Sequence, residues 1–422
     1  MRVLFSFIGG YGHFLPLVPI ARAVQAAGHA VAVLGGPRMA GVIRDAGFEA
    51  LPAGGQPHLP AQPRTTHPPA QPRAGHAPTV PGAGHAPTVP GAGHTPTVPG
   101  AGHTPVEAGA VRGPLAPLDL ARERREITEQ FIRGSGRERA ARLLEVAGEW
   151  RPDLIVCDEV NVGAMIAAER LGIPHATVVV LVAGSFLQDG YTAEAVDEVR
   201  AEFGLPPDNG LAMLGRHLML EPAPPGFRDP AFPLPPTARA IRPSATLPAP
   251  AERNERPLIY FTLGTAFNAE SGDLFERMLT GLRELPADLV MTVGRHIDPA
   301  VFGPQPPHVR IERFVPQDEL LHRCDLVISH GGSGSVLGAI THGLPMLVAP
   351  LGADQPDNGA RVAALGLGRV LDAETVTPEQ AATAAAAVLA DGGHRAVARA
   401  LRTAWESLPG PDEAVAMLEG IV

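Results

Sequence analysis

Short apolar runs, each broken by glycine and followed by residues at helical spacing, recur from one end of the 422-residue chain to the other. The first is residues 2–8 (Arg-Val-Leu-Phe-Ser-Phe-Ile), which predict a strand. A glycine-rich turn then leads into residues 15–27, where Leu17, Ile20, Ala21 and Val24 fall on one helical face. Gly28 stops that helix, and a strand (30–34), a helix (39–46) and a short strand (48–51) follow. The order βαβαβ predicts a parallel, doubly wound sheet. Helices at 118–132, 137–150 and 162–171, with strands at 154–157 and 176–182, extend it. Residues 191–221 read as partly helical.

The alternation restarts at residue 258 with Leu-Ile-Tyr-Phe-Thr-Leu-Gly-Thr. A helix (273–285), a strand (288–293), an edge strand near 309–314, a helix (317–323), strands at 326–329 and 345–349 and further helices complete a second unit. The expected fold is therefore α/β, with two Rossmann-like domains facing across a cleft and ligands at the strand carboxyl ends. Between the units, 222–257 is crowded with proline and predicts a linker or cover loop.

With 48 glycines and 46 prolines, some segment must hold more of both than a folded α/β domain uses. That segment is 52–117, with a nine-residue repeat whose histidines fall at His76, His85, His94 and His103. A full unit has nine residues with two prolines, two glycines and little apolar bulk, which predicts a disordered insertion. Four histidines could instead form a weak metal-binding tract, but carboxylates and cysteines are lacking in the repeat.

Composition excludes several chemistries. All 34 basic residues are arginine, so Schiff-base catalysis and a Walker-type lysine are impossible. A net charge of −10 with no long basic run argues against nucleic-acid binding. Two cysteines, Cys157 and Cys324, cannot build a disulfide framework or a cysteine-rich zinc site, and they suit a reducing cytoplasm. No apolar stretch approaches the roughly 18 residues needed to span a bilayer.

The strongest motif is Ser329-His330-Gly331-Gly332-Ser333-Gly334-Ser335, between an expected strand and an expected helix. Glycines admit close backbone approach and a helix N-terminus offers free N–H groups, so the turn predicts a diphosphate site. A merely tight turn would need one glycine, not three and a histidine. Asp354 and Gln355, on a later loop of the same edge, could bind sugar hydroxyls or simply shape a turn. Phe314-Val315-Pro316-Gln317 could stack on and hydrogen-bond a nucleobase. In Gly9-Gly10-Tyr11-Gly12-His13 the dinucleotide fingerprint fails at Leu15, and His13 instead falls at the end of the first strand. An imidazole there could take a proton from a hydroxyl if Asp158, at another strand end, orients it. A helix-capping or structural histidine is the alternative.

Phe314-Val-Pro-Gln, Ser329-His-Gly-Gly-Ser-Gly-Ser, Gly343-Leu-Pro-Met and Asp354-Gln355, in this order, resemble the family 1 glycosyltransferases of the GT-B fold, specifically the actinomycete type that glycosylates antibiotic aglycones. The resemblance covers nearly all of 257–422, and 1–51 and 118–190 more loosely. It implies a catalytic dyad of His13 and Asp158, a donor diphosphate held by Thr265, His330, Gly332, Ser333, Gly334 and Ser335, a base lined by Phe314, Val315 and Gln317, and sugar hydroxyls bound by Asp354 and Gln355. It implies an acceptor domain (1–221), a linker (222–256), a nucleotide-sugar domain (257–404), and a last helix (405–422) packing back on the first domain. The activity implied is metal-independent, inverting transfer of a hexose or deoxyhexose from a TDP- or UDP-sugar to a small apolar aglycone, with the nucleotide-sugar as co-substrate and no other cofactor. A nucleotide-sugar epimerase of the same fold and a non-catalytic auxiliary partner are the rivals. Ser329 stands where the family commonly has a first histidine, and Phe314 where it often has tryptophan. No Asp-x-Asp occurs, unlike metal-dependent transferases of the other major fold.

Overall fold

The computed structural model describes residues 1–51, 113–184, 189–243, 255–264 and 270–422. The nine-residue repeats and Thr265 lie outside the described residues.

The first domain runs β1 (Arg2–Ser6), α1 (Tyr11–Phe14), α2 (Val18–Ala26), β2 (Ala30–Leu34), α3 (Ala40–Asp45), β3 (Glu49–Ala50), α4 (Leu120–Glu126), α5 (Arg137–Trp150), β4 (Leu154–Asp158), α6 (Val162–Leu171), β5 (His175–Val178), α7 (Asp189–Glu202), β6 (Leu218–Glu221) and β7 (Ala238–Ala240). The second runs β8 (Leu258–Thr262), α8 (Leu274–Leu282), β9 (Asp288–Thr292), β10 (Val309–Glu312), α9 (Gln317–Leu321), β11 (Leu326–Ser329), α10 (Ser333–Thr341), β12 (Met346–Val348), α11 (Gln355–Ala364), β13 (Gly368–Val370), α12 (Pro378–Ala390), α13 (Gly392–Glu406) and α14 (Pro411–Glu419).

Both sheets are parallel throughout, as the alternation predicts. The first has the order β3-β2-β1-β4-β5-β6-β7, the second β10-β9-β8-β11-β12-β13. Strand order therefore reverses between β1 and β4, and again between β8 and β11. Helices cover both faces, which is why central strands such as β4 and β8 are buried at every residue rather than alternating. Each sheet has an apolar cluster on either side.

Three strands escaped the sequence reading. β6 lies at the end of the stretch expected to be partly helical, β7 within the proline-rich stretch expected to be linker, and β13 where only helices were expected. Ala238-Arg239-Ala240 and Gly368-Arg369-Val370 hold no apolar run, and Leu218-Met219-Leu220 closes a stretch whose signal is helical, so nothing local marked them as strands. The insertion also ends earlier than 117: Leu115 packs against the second domain's core, and the Leu118 amide donates to Glu374 Oε1 at 2.9 Å. The helices expected at 118–132 and 137–150 are one continuous rod, because Ile127–Gly136 is π-helical and joins α4 to α5.

Local chemistry explains the boundaries that matter for the site. Asn161 caps α6 by accepting from the Ala164 amide at 3.2 Å, and Gly172 ends that helix at φ +67°. α1 has four residues, too short to hold itself; Phe14 anchors it by packing on Phe7, with ring centroids 5.1 Å apart. Both rings are buried, each stabilising by roughly 1.5–3 kcal/mol. The chain returns at the end to the first domain, where Ala414, Val415 and Leu418 of α14 join the cluster around α2.

Candidate active site

His13 and Asp158 come together at the reversal point of the first sheet. Asp158 ends β4 with its side chain fully buried, and its carboxylate accepts from the Ile8 amide (2.9 Å) and the Val160 amide (3.1 Å). Two backbone donors hold a buried charge that would otherwise be costly. His13 follows β1 on α1, with Nδ1 3.5 Å from Asp158 Oδ1 and 23% of its side chain exposed. One edge of the ring thus faces the carboxylate while part of it stays accessible. Burial acts to lower the imidazole pKa; the adjacent Asp158, and Asp354 at longer range, outweigh it, and the net shift is upward from 6.5. Gly9 allows this placement: its φ is +84°, and a Cβ there would sit 3.2 Å from the His13 ring.

The second reversal point carries His330. It follows β11, and its ring fills the space between Gly264, after β8, and Gly332. A Cβ on Gly264 would lie 2.5 Å from the ring and one on Gly332 2.6 Å, so both glycines are required by the histidine. Burial pushes the His330 pKa down to about 4, which makes the ring neutral at pH 7. Its Nδ1 has no partner among the described residues. Gly332 caps α10 with no side-chain hydrogen bond, and a Cβ on Gly334 would meet open space, so the start of the helix is uncovered. Backbone N–H groups and the positive end of the helix dipole at such a terminus suit an anion.

Ser333 and Asp354, read from sequence as phosphate and sugar ligands, face each other. Ser333 Oγ donates to Asp354 Oδ2 at 2.5 Å and accepts from the Val182 amide at 2.9 Å, across the two domains. Asn358 Nδ2 donates to Asp354 Oδ2 (2.7 Å), Ser333 Oγ (3.2 Å) and the Gly331 carbonyl (2.9 Å). Asp354 is buried, which raises its pKa; Ser333, Asn358 and the nearby His13 offset this in part. Gln355 turns its Oε1 onto the amides of Leu351 (2.8 Å) and Gly352 (3.2 Å), shaping its own loop. Ser335 is buried at the third residue of α10. Phe314 is 58% exposed, Val315 packs against the core beside α10, and Gln317 opens α9 next to Gly338.

Sequence reasoning missed Asn358, Glu123 and Arg295. Asn358 had a signal, since Asp354 and Asn358 are four apart and share a helical face. Glu123 of α4 accepts from the Ala353 amide at 3.1 and 3.2 Å, a contact between residues 230 apart that no local pattern announces. Among the described residues no group of three or more His, Cys, Asp or Glu side chains could hold a metal, and no helix is long and apolar enough to cross a membrane.

Residues 276–421 match the family described as erythromycin biosynthesis protein CIII-like, C-terminal domain. Over its whole length the chain is 28% identical to the L-demethylnoviosyl transferase of Streptomyces niveus, covering 97% of that protein. The tylactone mycaminosyltransferase of Streptomyces fradiae is 27% identical, with 99% of this chain and 92% of that protein covered. The chain is a glycosyltransferase of the GT-B fold. Among solved GT-B glycosyltransferases, the calicheamicin glycosyltransferase CalG4 superposes with a TM-score of 0.72 at 20% identity, over all of this chain and 98% of that one. VinC in complex with dTDP superposes at 0.68 and 22%, over 100% and 99%. In this glycosyltransferase, then, the carboxyl edges of the two GT-B sheets bring His13, Asp158, Asp354 and Ser333 to one place.

Proposed function

We propose that this glycosyltransferase moves a hexose or deoxyhexose from a TDP- or UDP-sugar to a hydroxyl of a small apolar natural-product aglycone, without a metal and with inversion. The carrying observation is the His13–Asp158 contact at one sheet's reversal point, close enough to Asp354, at the start of α11 in the other domain, for their charges to interact. His13 takes the proton of the acceptor hydroxyl through the ring nitrogen turned away from Asp158. The freed oxygen forms a bond to the anomeric carbon as the bond to the diphosphate oxygen breaks on the opposite face, so the configuration inverts. Asp158 orients the ring and stabilises the imidazolium. Negative charge growing on the diphosphate is met by the first N–H groups of α10 and by neutral His330 as a donor, in the role a cation takes elsewhere. Asp354 lies between the two functions, anchored by Ser333 and Asn358, with Gln355 beside it as the second sugar-facing group. Val315 and Gln317 flank the Phe314 face offered to the base. Support for a thymidine nucleotide comes from the dTDP held by VinC. The two buried free cysteines are in keeping with a reducing cytoplasm.

The test is incubation with a panel of TDP- and UDP-sugars and aglycones in excess EDTA, followed by mass spectrometry and NMR of the anomeric proton. A glycosylated acceptor with inverted configuration is expected. An isomerised nucleotide-sugar without acceptor would make the chain an epimerase. Loss of turnover in EDTA, or retained configuration, would overturn the mechanism.

A further inference from the structure

Arg295 takes no part in the chemistry just derived, yet it reaches from the second domain to the helix of the first that carries His13. It follows β9 and Gly294, and its Cζ lies 5.5 Å from the ring centroid of Tyr11 and 5.9 Å from that of Phe314. Both distances fall within the roughly 6 Å at which a guanidinium is drawn to an aromatic face. Tyr11 is the first residue of α1, two before His13; Phe314 is on the loop after β10. A single cation thus touches the catalytic helix of one domain and the exposed base platform of the other. Arg313 holds the backbone under it, donating to the carbonyls of Arg295 (3.2 Å) and Ile297 (3.3 Å) and pairing with Asp298 at 3.2 Å. The loops bearing Arg295 and Phe314 are therefore tied together, and the stack on Tyr11 links them to His13.

We propose that Arg295 is a positioning residue that couples occupation of the Phe314 platform by the donor's pyrimidine base to the placement of the α1 helix carrying His13. The inference rests on the proposed donor site. A base stacking on Phe314 shares the ring on which Arg295 leans, so base binding and the Tyr11 contact are linked, and each must alter the other by the same factor. An ordinary solvated arginine would make neither contact worth measuring.

The experiment is a double-mutant cycle on the full chain, reading TDP affinity by calorimetry, kcat and KM for the donor, and thermal unfolding. Arg295→Ala and Tyr11→Ala are each expected to lower kcat/KM for the donor by about 2–5-fold, the range for an exposed cation–π pair. The double variant is expected to lose no more than the worse single one, Tyr11→Phe to keep the coupling because it keeps the ring, and Arg295→Lys to recover part of the loss. Unfolding temperatures should not move. Multiplicative losses in the double variant, a Tyr11→Phe loss equal to that of Tyr11→Ala, or unchanged TDP affinity and kcat/KM in Arg295→Ala would each overturn the coupling. Failure of the wild-type chain to bind any nucleoside diphosphate would instead remove the donor site beneath it.

Discussion

A histidine beside a buried carboxylate behaves differently from one packed in glycine, and this chain has both. His13 is pulled above 6.5 by Asp158 and Asp354 against the opposing effect of burial. A base must be neutral to work, so kcat/KM should fall as pH drops through that raised pKa, with its acid limb above pH 6.5. Asp158→Asn removes the main upward influence and leaves burial, so the limb should shift to lower pH while the plateau drops; a pH–rate profile of both proteins checks it. His13→Ala should cut turnover by roughly 10²–10⁴ with TDP affinity nearly unchanged, whereas full activity would end the dyad's role. His330, pushed to about 4, stays neutral across the physiological range. Calorimetric TDP affinity should show no titration of His330 between pH 6 and 8. His330→Ala should weaken it by about 1.5–3 kcal/mol, the worth of a hydrogen bond to a charged oxygen.

Elements in this molecule are placed by glycine as much as by apolar residues. α5 and α6 touch through backbone: a Cβ on Gly163 would fall 2.2 Å from the Gly136 carbonyl oxygen and 2.9 Å from Ala140 N. Gly163→Ala should therefore cost about 1–3 kcal/mol as the helices are forced apart. Thermal unfolding would then begin about 2–4 °C lower for each kcal/mol. An unchanged midpoint would mean that the π-helical joint before α5 absorbs the methyl group. The displacement reaches the site, because α6 is capped by Asn161, whose Nδ2 also donates to Ser6 Oγ at 3.1 Å, beside Asp158.

At the scale of the whole chain, the described residues form a seven-stranded and a six-stranded sheet and four apolar clusters. Deleting residues 62–111 and joining the ends with a short Gly-Ser linker should leave the unfolding temperature nearly unchanged, since neither core would lose a described contact. Differential scanning calorimetry decides it; a large drop would show that the repeats contribute to folding. The domains are joined by contacts distributed along the chain. Arg361 donates to the carbonyls of Phe227 (2.7 Å) and Gly226 (3.0 Å), Glu123 holds Ala353, and Arg242 N donates to the Pro409 carbonyl at 2.7 Å.

The parallel architecture was legible from sequence because continuous apolar runs alternate with segments of helical periodicity, and glycine marks many of their ends. β6, β7 and β13 were not, because β7 and β13 hold no apolar run and β6 closes a stretch of helical signal, so pairing with a neighbouring strand is what defines them. The same division holds in the site. His13, Asp158 and His330 were readable as strand-end residues, since a parallel sheet puts every strand's carboxyl end on one edge. Which strands are adjacent is a property of sheet order, and only the tertiary structure put β1 next to β4 and so His13 next to Asp158. It likewise turned Ser333 and Gln355 toward protein partners and set Arg295 between Tyr11 and Phe314, because hydrogen bonding and stacking depend on distances between segments that lie far apart in the chain.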